Sequence, residues 1–477
     1  MRKSVIGGCV GVSLACLFAA CGGDDNQAGG TAGGAGSNAG SAGTGGSSTN
    51  SGGSAGDGGE AGSSAGSGGS GGAAGSGGAG TGGAPTDGGA TIATAVYTMS
   101  NAAAGNEILG FLRAADGTLT PMAAPFPSGG KGSGMGLGEQ GAVAYDLARN
   151  RIYAVNAGDS SFSVWPVKMD GTLGTVLNVS AAGDAGRTLI GPKSITFHEN
   201  TVYVLFQGDA TTASAIAGWT LKETGGVLGA TAIAGSSLPL SSDTQSVDPA
   251  QIEFSPDGKW LLVTEKQSGA SGAVKGSGSI DTFSVDSAGL AKKMGFYPTA
   301  SAGADAGLQM TPFGFEFYGN YVVVSEAGST GVGSYTYAGG VIAPVTAASQ
   351  FLSTDPAPCW VTFSTNFAYV TNARGPSISG FKVGATGGLS NIGAVANAVV
   401  ASTGRTLPSD AGLVFQGPTD EFASSDGKFL YVLNAAVPSI GIFQVQSNGS
   451  LDRVGAGDYA PSTAAALPAG SAGIVAR

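Results

Sequence analysis

The chain has one histidine in 477 residues, and Asp, Glu, Lys and Arg together make up only 11% of it. The net charge is −11 and Lys and Arg form no run or stripe, so nucleic acid is excluded as a partner. The acidic balance speaks for solubility, not for a particular ligand. Cysteine is scarce as well: Cys9, Cys16, Cys21 and Cys359 are too few for a disulfide framework. No Ser/His/Asp set, Cys-x-x-Cys pair, His-Glu-x-x-His, phosphate loop or dinucleotide fingerprint occurs. The glycine-rich "GGKGSGMGLG" at 129–138 has no strand before it and no helix after it, so it reads as loop. Beyond residue 91 no helical period is sustained.

What is present falls into three parts: 1–21, 22–90 and 91–477. Arg2 and Lys3 precede a mostly apolar run at 4–18, too short for a membrane span and built like an export signal. It closes on "LFAAC" at 17–21. Small residues ahead of a cysteine resemble the bacterial lipobox, with Phe18 where Leu is more usual. The resemblance implies a lipidated Cys21; an ordinary cleaved signal is the alternative. Gly22 after the cysteine, in place of Asp, implies sorting to the outer membrane, with the protein periplasmic or surface-exposed. At about 0.8 kcal/mol per buried methylene, several acyl chains anchor stably. Residues 22–90 are Gly, Ser, Ala and Thr with almost no large apolar side chain, so they cannot offset the entropy of folding. A flexible tether is expected, spanning about 45 Å by the scaling of roughly 5–6 Å times the square root of its length. Cys359, in "PAPCWVTF", is expected to be a buried, inert thiol.

From residue 91 onward strand signals repeat. An aliphatic-aromatic run occurs seven times, as in "IYAVNAG", "LLVTEK", "AYVTNAR" and "LYVLNAA". Each is followed by a second run, such as "SFSVWPV" or "SISGFKV", and then by a third after a Gly turn, such as "DGTLGTV" or "NGSLDRV". Asp-Gly and Asn-Gly between β-rich runs supply the φ > 0 that a hairpin turn needs. A fourth element, such as "PKSITF" or "PAQIEF", precedes the aliphatic run in six units but not in the first. The run "AGIVAR" at 472–477 supplies the seventh. These counts predict an all-β, seven-bladed propeller of four-stranded antiparallel blades, closed by the C-terminal strand in blade one. Closure removes the edges that an open sheet exposes.

The pattern Pro-x-x-Φ-x-Phe, Leu-Tyr-Val-x-Asn, Ile-x-x-Phe-x-Val, Gly-x-Leu resembles the lactonase-type propellers, which include 6-phosphogluconolactonase-like proteins and carboxymuconate cyclases. "YVTN" at 369–372 resembles the YVTN repeats of bacterial surface propellers. The likeness covers 94–477. It implies a functional glutamate at the end of the second strand of blade four, which is Glu265, where the sister runs carry Asn156, Asn372 and Asn434. The family's blade-three histidine is replaced by Lys193, and its blade-four Arg-His by Ala250-Gln251. Glu265 and Lys193 are therefore the catalytic candidates. As neighbours across blades three and four they are expected to pair, with Lys266 or Arg187 as substitute cations, which would lower the carboxyl pKa.

Long connections at 129–140, 181–191, 235–248, 300–311, 401–417 and 458–470 are expected on one face, where ligand contacts concentrate. Arg187 and Arg405, in two "GRTL" copies, together with Gln251, Glu326 and Arg374, are candidate ligand-binding residues there. Glu253, Glu316 and Glu421 share one phase in blades four, five and seven; they suit a hard cation such as Ca2+, or else hydrogen bonds to neighbouring backbone. His198 falls at the opposite face, beside a turn. No cofactor is required and a monomer is expected. Two functions follow: a binding module offering its loop-rich face to a small polar or carbohydrate-like ligand or a surface partner, or a lactone hydrolase acting on a sugar or muconate lactone.

Overall fold

The computed structural model describes residues 92–181, 187–244, 246–267, 278–299, 310–328, 331–348, 353, 355, 357–397, 417–434, 439–454, 467–468 and 470–477. The signal peptide and Cys21, the whole of the tether, and Arg405 lie outside them. No helix of the described residues is long and apolar enough to cross a membrane.

Seven antiparallel sheets follow one another in the order the repeats predict. In blades two to seven the innermost strands are Val143–Asp146, Pro192–His198, Pro249–Phe254, Pro312–Tyr318, Pro358–Ser364 and Pro418–Ala423. In blade one this place is taken by Ala472–Ala476, which pairs antiparallel with Ala95–Met99. A register shift at Thr98/Met99 coincides with Gly473, whose φ of 67° a side chain rarely adopts. The second strands, among them Arg151–Asn156 and Phe429–Asn434, are buried along nearly their whole length. Both of their faces meet another blade, so they read as unbroken apolar runs and not as alternating ones.

A tyrosine latch joins successive blades. The third residue of the second strand donates its hydroxyl to the glycine carbonyl of the outer turn in the next blade: Tyr97 to Gly171 (2.6 Å), Tyr203 to Gly289 (2.8 Å), Tyr369 to Gly449 (3.0 Å) and Tyr431 to Gly117 (3.0 Å). These glycines sit at φ of 81–87°. A Cβ on Gly117 would come within 2.4 Å of the Phe429 ring, so close approach and left-handed backbone both demand glycine. Leu262 and Val323 replace the tyrosine in blades four and five. Tyr153 in blade two is the exception. The third strand of blade three, Ala215–Thr224, runs on to a two-residue Gly225-Gly226 turn that touches nothing, and the Tyr153 hydroxyl is buried without a hydrogen-bond partner.

The free edges of the inner strands are satisfied by side chains of the preceding blade. Ser194 Oγ and Thr196 Oγ1 accept from the Ile252 and Phe254 amides at 3.2 and 3.1 Å. Gln251 both donates to Phe315 O (2.8 Å) and accepts from Phe315 N (2.7 Å), as a paired strand would. Thr362 Oγ1 accepts from Ala423 N at 3.3 Å. Tyr431→Phe should cost about 1–3 kcal/mol, because it strands the Gly117 carbonyl. Tyr153→Phe should be neutral or mildly stabilising. Urea denaturation of both variants measures the contrast; equal losses would mean that the hydroxyl bond contributes nothing.

Candidate functional site

The face from which the long connections emerge carries a polar cluster above blades three and four. Its centre is Asp248, the residue before the inner strand of blade four. Its backbone is left-handed, with φ of 48°. Blade three has Gly191, φ 63°, in the same place. A side chain other than glycine costs roughly 1–2 kcal/mol there, less for Asp, and this conformation sets the Asp248 carboxylate among three donors. Lys193 Nζ lies 3.2 Å from Oδ1 and Lys266 Nζ 3.0 Å from Oδ2. Gln207 Nε2 donates to Oδ1 at 3.1 Å and to Ser246 Oγ at 3.1 Å. Lys266 is buried, and its ammonium also donates to Gly138 O at 3.2 Å and stands 5.5 Å from the centre of the Phe313 ring.

Segment 138–141 lies across the channel and completes the cluster. Gln140 donates from its backbone to Ala250 O (3.2 Å), and its side-chain amide bonds Val361 O and N at 2.7 and 2.9 Å. Trp360 Nε1 donates to Glu139 O at 2.7 Å, and Ile195 N to Gly141 O at 2.8 Å. The Glu139 carboxyl is thereby buried, with Oε2 lacking a hydrogen bond.

The electrostatics divide these groups. Burial pushes Glu139 up to about 8, against the pull of Lys193 and Lys266. Burial also lowers Lys266 to about 8, with Asp248 opposing and Lys193 reinforcing. For Asp248 burial works upward, but Lys266 and Lys193 outweigh it and hold the carboxyl well below the usual range. Its side chain keeps 25% of its surface open to solvent. The cluster thus offers a fixed carboxylate, two ammonium groups and an acid that titrates near neutrality. Such a set can bind hydroxyl and carbonyl groups, and it can move a proton.

The expected Lys193–Glu265 pair does not form. Lys193 pairs with Asp248. Glu265 is buried and accepts from Ser241 N (2.7 Å), Ser241 Oγ and Ser279 Oγ (3.1 Å). Its pKa is raised to about 8, by burial first and then by the neighbouring Asp281, so the expected lowering is reversed. The cause is strand geometry: consecutive side chains point opposite ways, and Lys266, not Glu265, turns to the channel. The sister residues explain its position. Asn156 Nδ2 donates to Ser161 Oγ and Ser163 Oγ (3.0 and 2.8 Å), and Asn372 Nδ2 to Ser377 Oγ and Ser379 Oγ (2.8 and 3.0 Å). In blade four Glu265 and Asp281 replace the amide and the second serine together.

Arg187 is half-buried on the loop before Pro192, Arg374 is exposed after the second strand of blade six, and Glu326 is buried with the Tyr335 hydroxyl at 3.5 Å. Gln251 serves the inner-edge pairing. Glu316 accepts from Phe363 N at 3.0 Å and Glu253 from Gln251 Nε2 at 3.1 Å, while the buried Glu421 carboxyl has no hydrogen bond. These three do not form a metal-holding group; none of three or more His, Cys, Asp or Glu occurs among the described residues. His198 stands at the far face, against the Phe254 ring at 5.8 Å. Cys359 is buried as expected, with Sγ 3.2 Å from Ala357 O. Asp248 and Glu139 were not among the sequence candidates, and Lys266 was one only as a substitute partner for Glu265. A signal existed for Asp248, which stands before a strand-opening proline where other blades have Gly191 and Gly417. None existed for Glu139, which lies in one of the six long connections, where the sequence does not show which side chain turns to the channel.

No protein-family model matches the chain, and no curated protein does. Among solved structures it is similar to a candidate 6-phosphogluconolactonase from Bacteroides uniformis (TM-score 0.54, 16% identity, 77% of this chain and 96% of that one). It is also similar to one from Bacteroides fragilis (0.52, 16%, 82% and 100%). A protein from Lactobacillus plantarum matches as well (0.55, 14%, 81% and 99%). At such identities the likeness carries the fold, and the lactonase-like seven-bladed propeller is the architecture observed.

Stability should fall with rising pH. Glu139 and Glu316, both raised to about 8, keep a proton in the folded state that the unfolded chain releases near 4.5. Their contribution is full below that value and lost as pH passes through about 8. The urea midpoint should therefore be higher at about pH 5.5 than at about 8.5, and Glu139→Gln should reduce the difference. A midpoint that rises over this window would contradict the burial of these carboxyls.

Proposed function

We propose that this chain is an exported, lipid-anchored propeller that binds a small polyhydroxylated, acidic ligand at the channel mouth above blades three and four. The convergence of Asp248, Lys193, Lys266 and Glu139 carries this reading. Asp248 is the open member of the cluster and accepts ligand hydroxyls, while the Lys193 ammonium meets a carboxylate or carbonyl. Lipidation of Cys21 places the domain on the envelope membrane, and residues 22–90 hold it off the surface. Detergent partition of Cys21→Ala tests that part; unchanged partition removes the anchor.

Binding is favoured over catalysis because Glu265, the family's acid, is sealed behind Ser241 and the single histidine lies at the other face. One observation supports the second reading, lactone hydrolysis: Glu139 is pushed up and Asp248 down within one cluster, the division of labour of an acid–base site. Calorimetric titration with gluconate and glucuronate separates the two. Wild type should bind, and Asp248→Asn should bind about tenfold to a hundredfold more weakly, the worth of a charge-assisted hydrogen bond. Absence of binding to any sugar acid would overturn the proposal. Turnover of gluconolactone or muconolactone that disappears in Glu139→Gln would replace binding by hydrolysis.

A further inference from the structure

The doubled substitution in blade four has a consequence for the loop that ends at Asp248. Glu265 and Asp281 are both fully buried. Lys293, from the outer strand Ala291–Pro298, places Nζ 2.9 Å from Asp281 Oδ2 and donates to Leu240 O at 2.5 Å. Glu265 holds the next residue, Ser241, by its amide and its hydroxyl. The same loop continues to Val247 and Asp248, whose carbonyls accept from Gln267 N and Lys266 N at 3.2 and 3.1 Å. In blades two and six the corresponding groups are neutral; in blade two they also bond blade one, Asn156 accepting from Asn106 Nδ2 at 3.0 Å and Ser163 donating to Ser128 O at 2.8 Å.

We infer that Glu265 and Lys293, packed with the buried Asp281, clamp the loop from Leu240 to Asp248 and release it when the second of the two acids ionises. This rests on the proposal that Asp248 belongs to a ligand site. Among the described residues, the charged groups facing the pair are Lys293 and the two acids themselves. One cation therefore balances one carboxylate. The other stays protonated, with Glu265 raised to about 8. A second charge in a site without water is too costly to persist, so ionisation requires hydration. The cover over Glu265 is Ser241, and local opening there is the cheapest route for water. Glu265 is then a positioning residue, acting on the ligand through Asp248.

Hydrogen exchange at the Ser241 amide tests the clamp without any ligand. After correction for intrinsic exchange, opening in wild type should rise by up to tenfold per pH unit between about pH 5 and 8 and level off above about 8. The swap Glu265→Asn with Asp281→Ser, the residues of blades two and six, should remove that pH dependence; Asp281→Ser alone, which leaves Glu265 facing Lys293, should shift its upper end downward. Identical pH profiles in wild type and both variants would overturn the inference. Gluconate affinity measured in parallel should fall more steeply over the same pH range in wild type than in the double swap, where only the groups of the site itself titrate. Because exchange is read on the free protein, a failed clamp is distinguishable from a failed ligand site.

Discussion

A ring of sheets has no outer ends, but it has an inner circumference of strand edges whose amides and carbonyls face one axis. Water in a narrow channel cannot serve them all, and a buried unpaired backbone group costs as much as a lost hydrogen bond. Here the remedy is side chains. Ser194, Thr196, Gln251, Glu316 and Thr362 each reach from one inner strand to the backbone of a later one. Gln140 does the same for blade six from outside the repeats. The channel is therefore filled with polar groups committed to the fold. Chemistry is left to its rim, where Lys193, Lys266 and Asp248 are not needed for inner-edge pairing.

Burying carboxyls in such a place has an electrostatic consequence. Glu139, Glu265 and Glu316 all rise to about 8, each because water is excluded. Asp248 falls instead, because two ammonium groups reach it. The asymmetry of the ring comes from blade four. There an amide–serine pair has become an acid pair, and a lysine from the outer strand supplies one compensating charge. Net neutrality of such a cluster depends on a proton, which ties the geometry of the adjacent loop to pH.

The architecture was legible because it rests on hydrophobic runs and turn glycines, which recur in every unit and count out to seven. Closure by residues 472–477 followed from an inner-strand deficit of one. The candidate site was legible only in part. Repeat alignment singles out Glu265 as unlike Asn156, Asn372 and Asn434, and it places Lys193 at the right height. It does not say which of two consecutive residues, Glu265 or Lys266, faces the channel, and that alternation decides the partner of Lys193. Glu139 was invisible because its connection is positioned by contacts with blades far off in sequence, through Trp360, Ala250 and Val361.

The account depends most on the Glu139 carboxyl being enclosed in the channel mouth between Lys193 and Lys266. Carboxyl 13C titration of the protein labelled at glutamate, with Glu139→Gln for assignment, measures this directly. A midpoint near 8 for Glu139 is the result the structure predicts. A midpoint near 4.5, the value of an open carboxyl, would contradict the enclosure and with it the site built around Asp248.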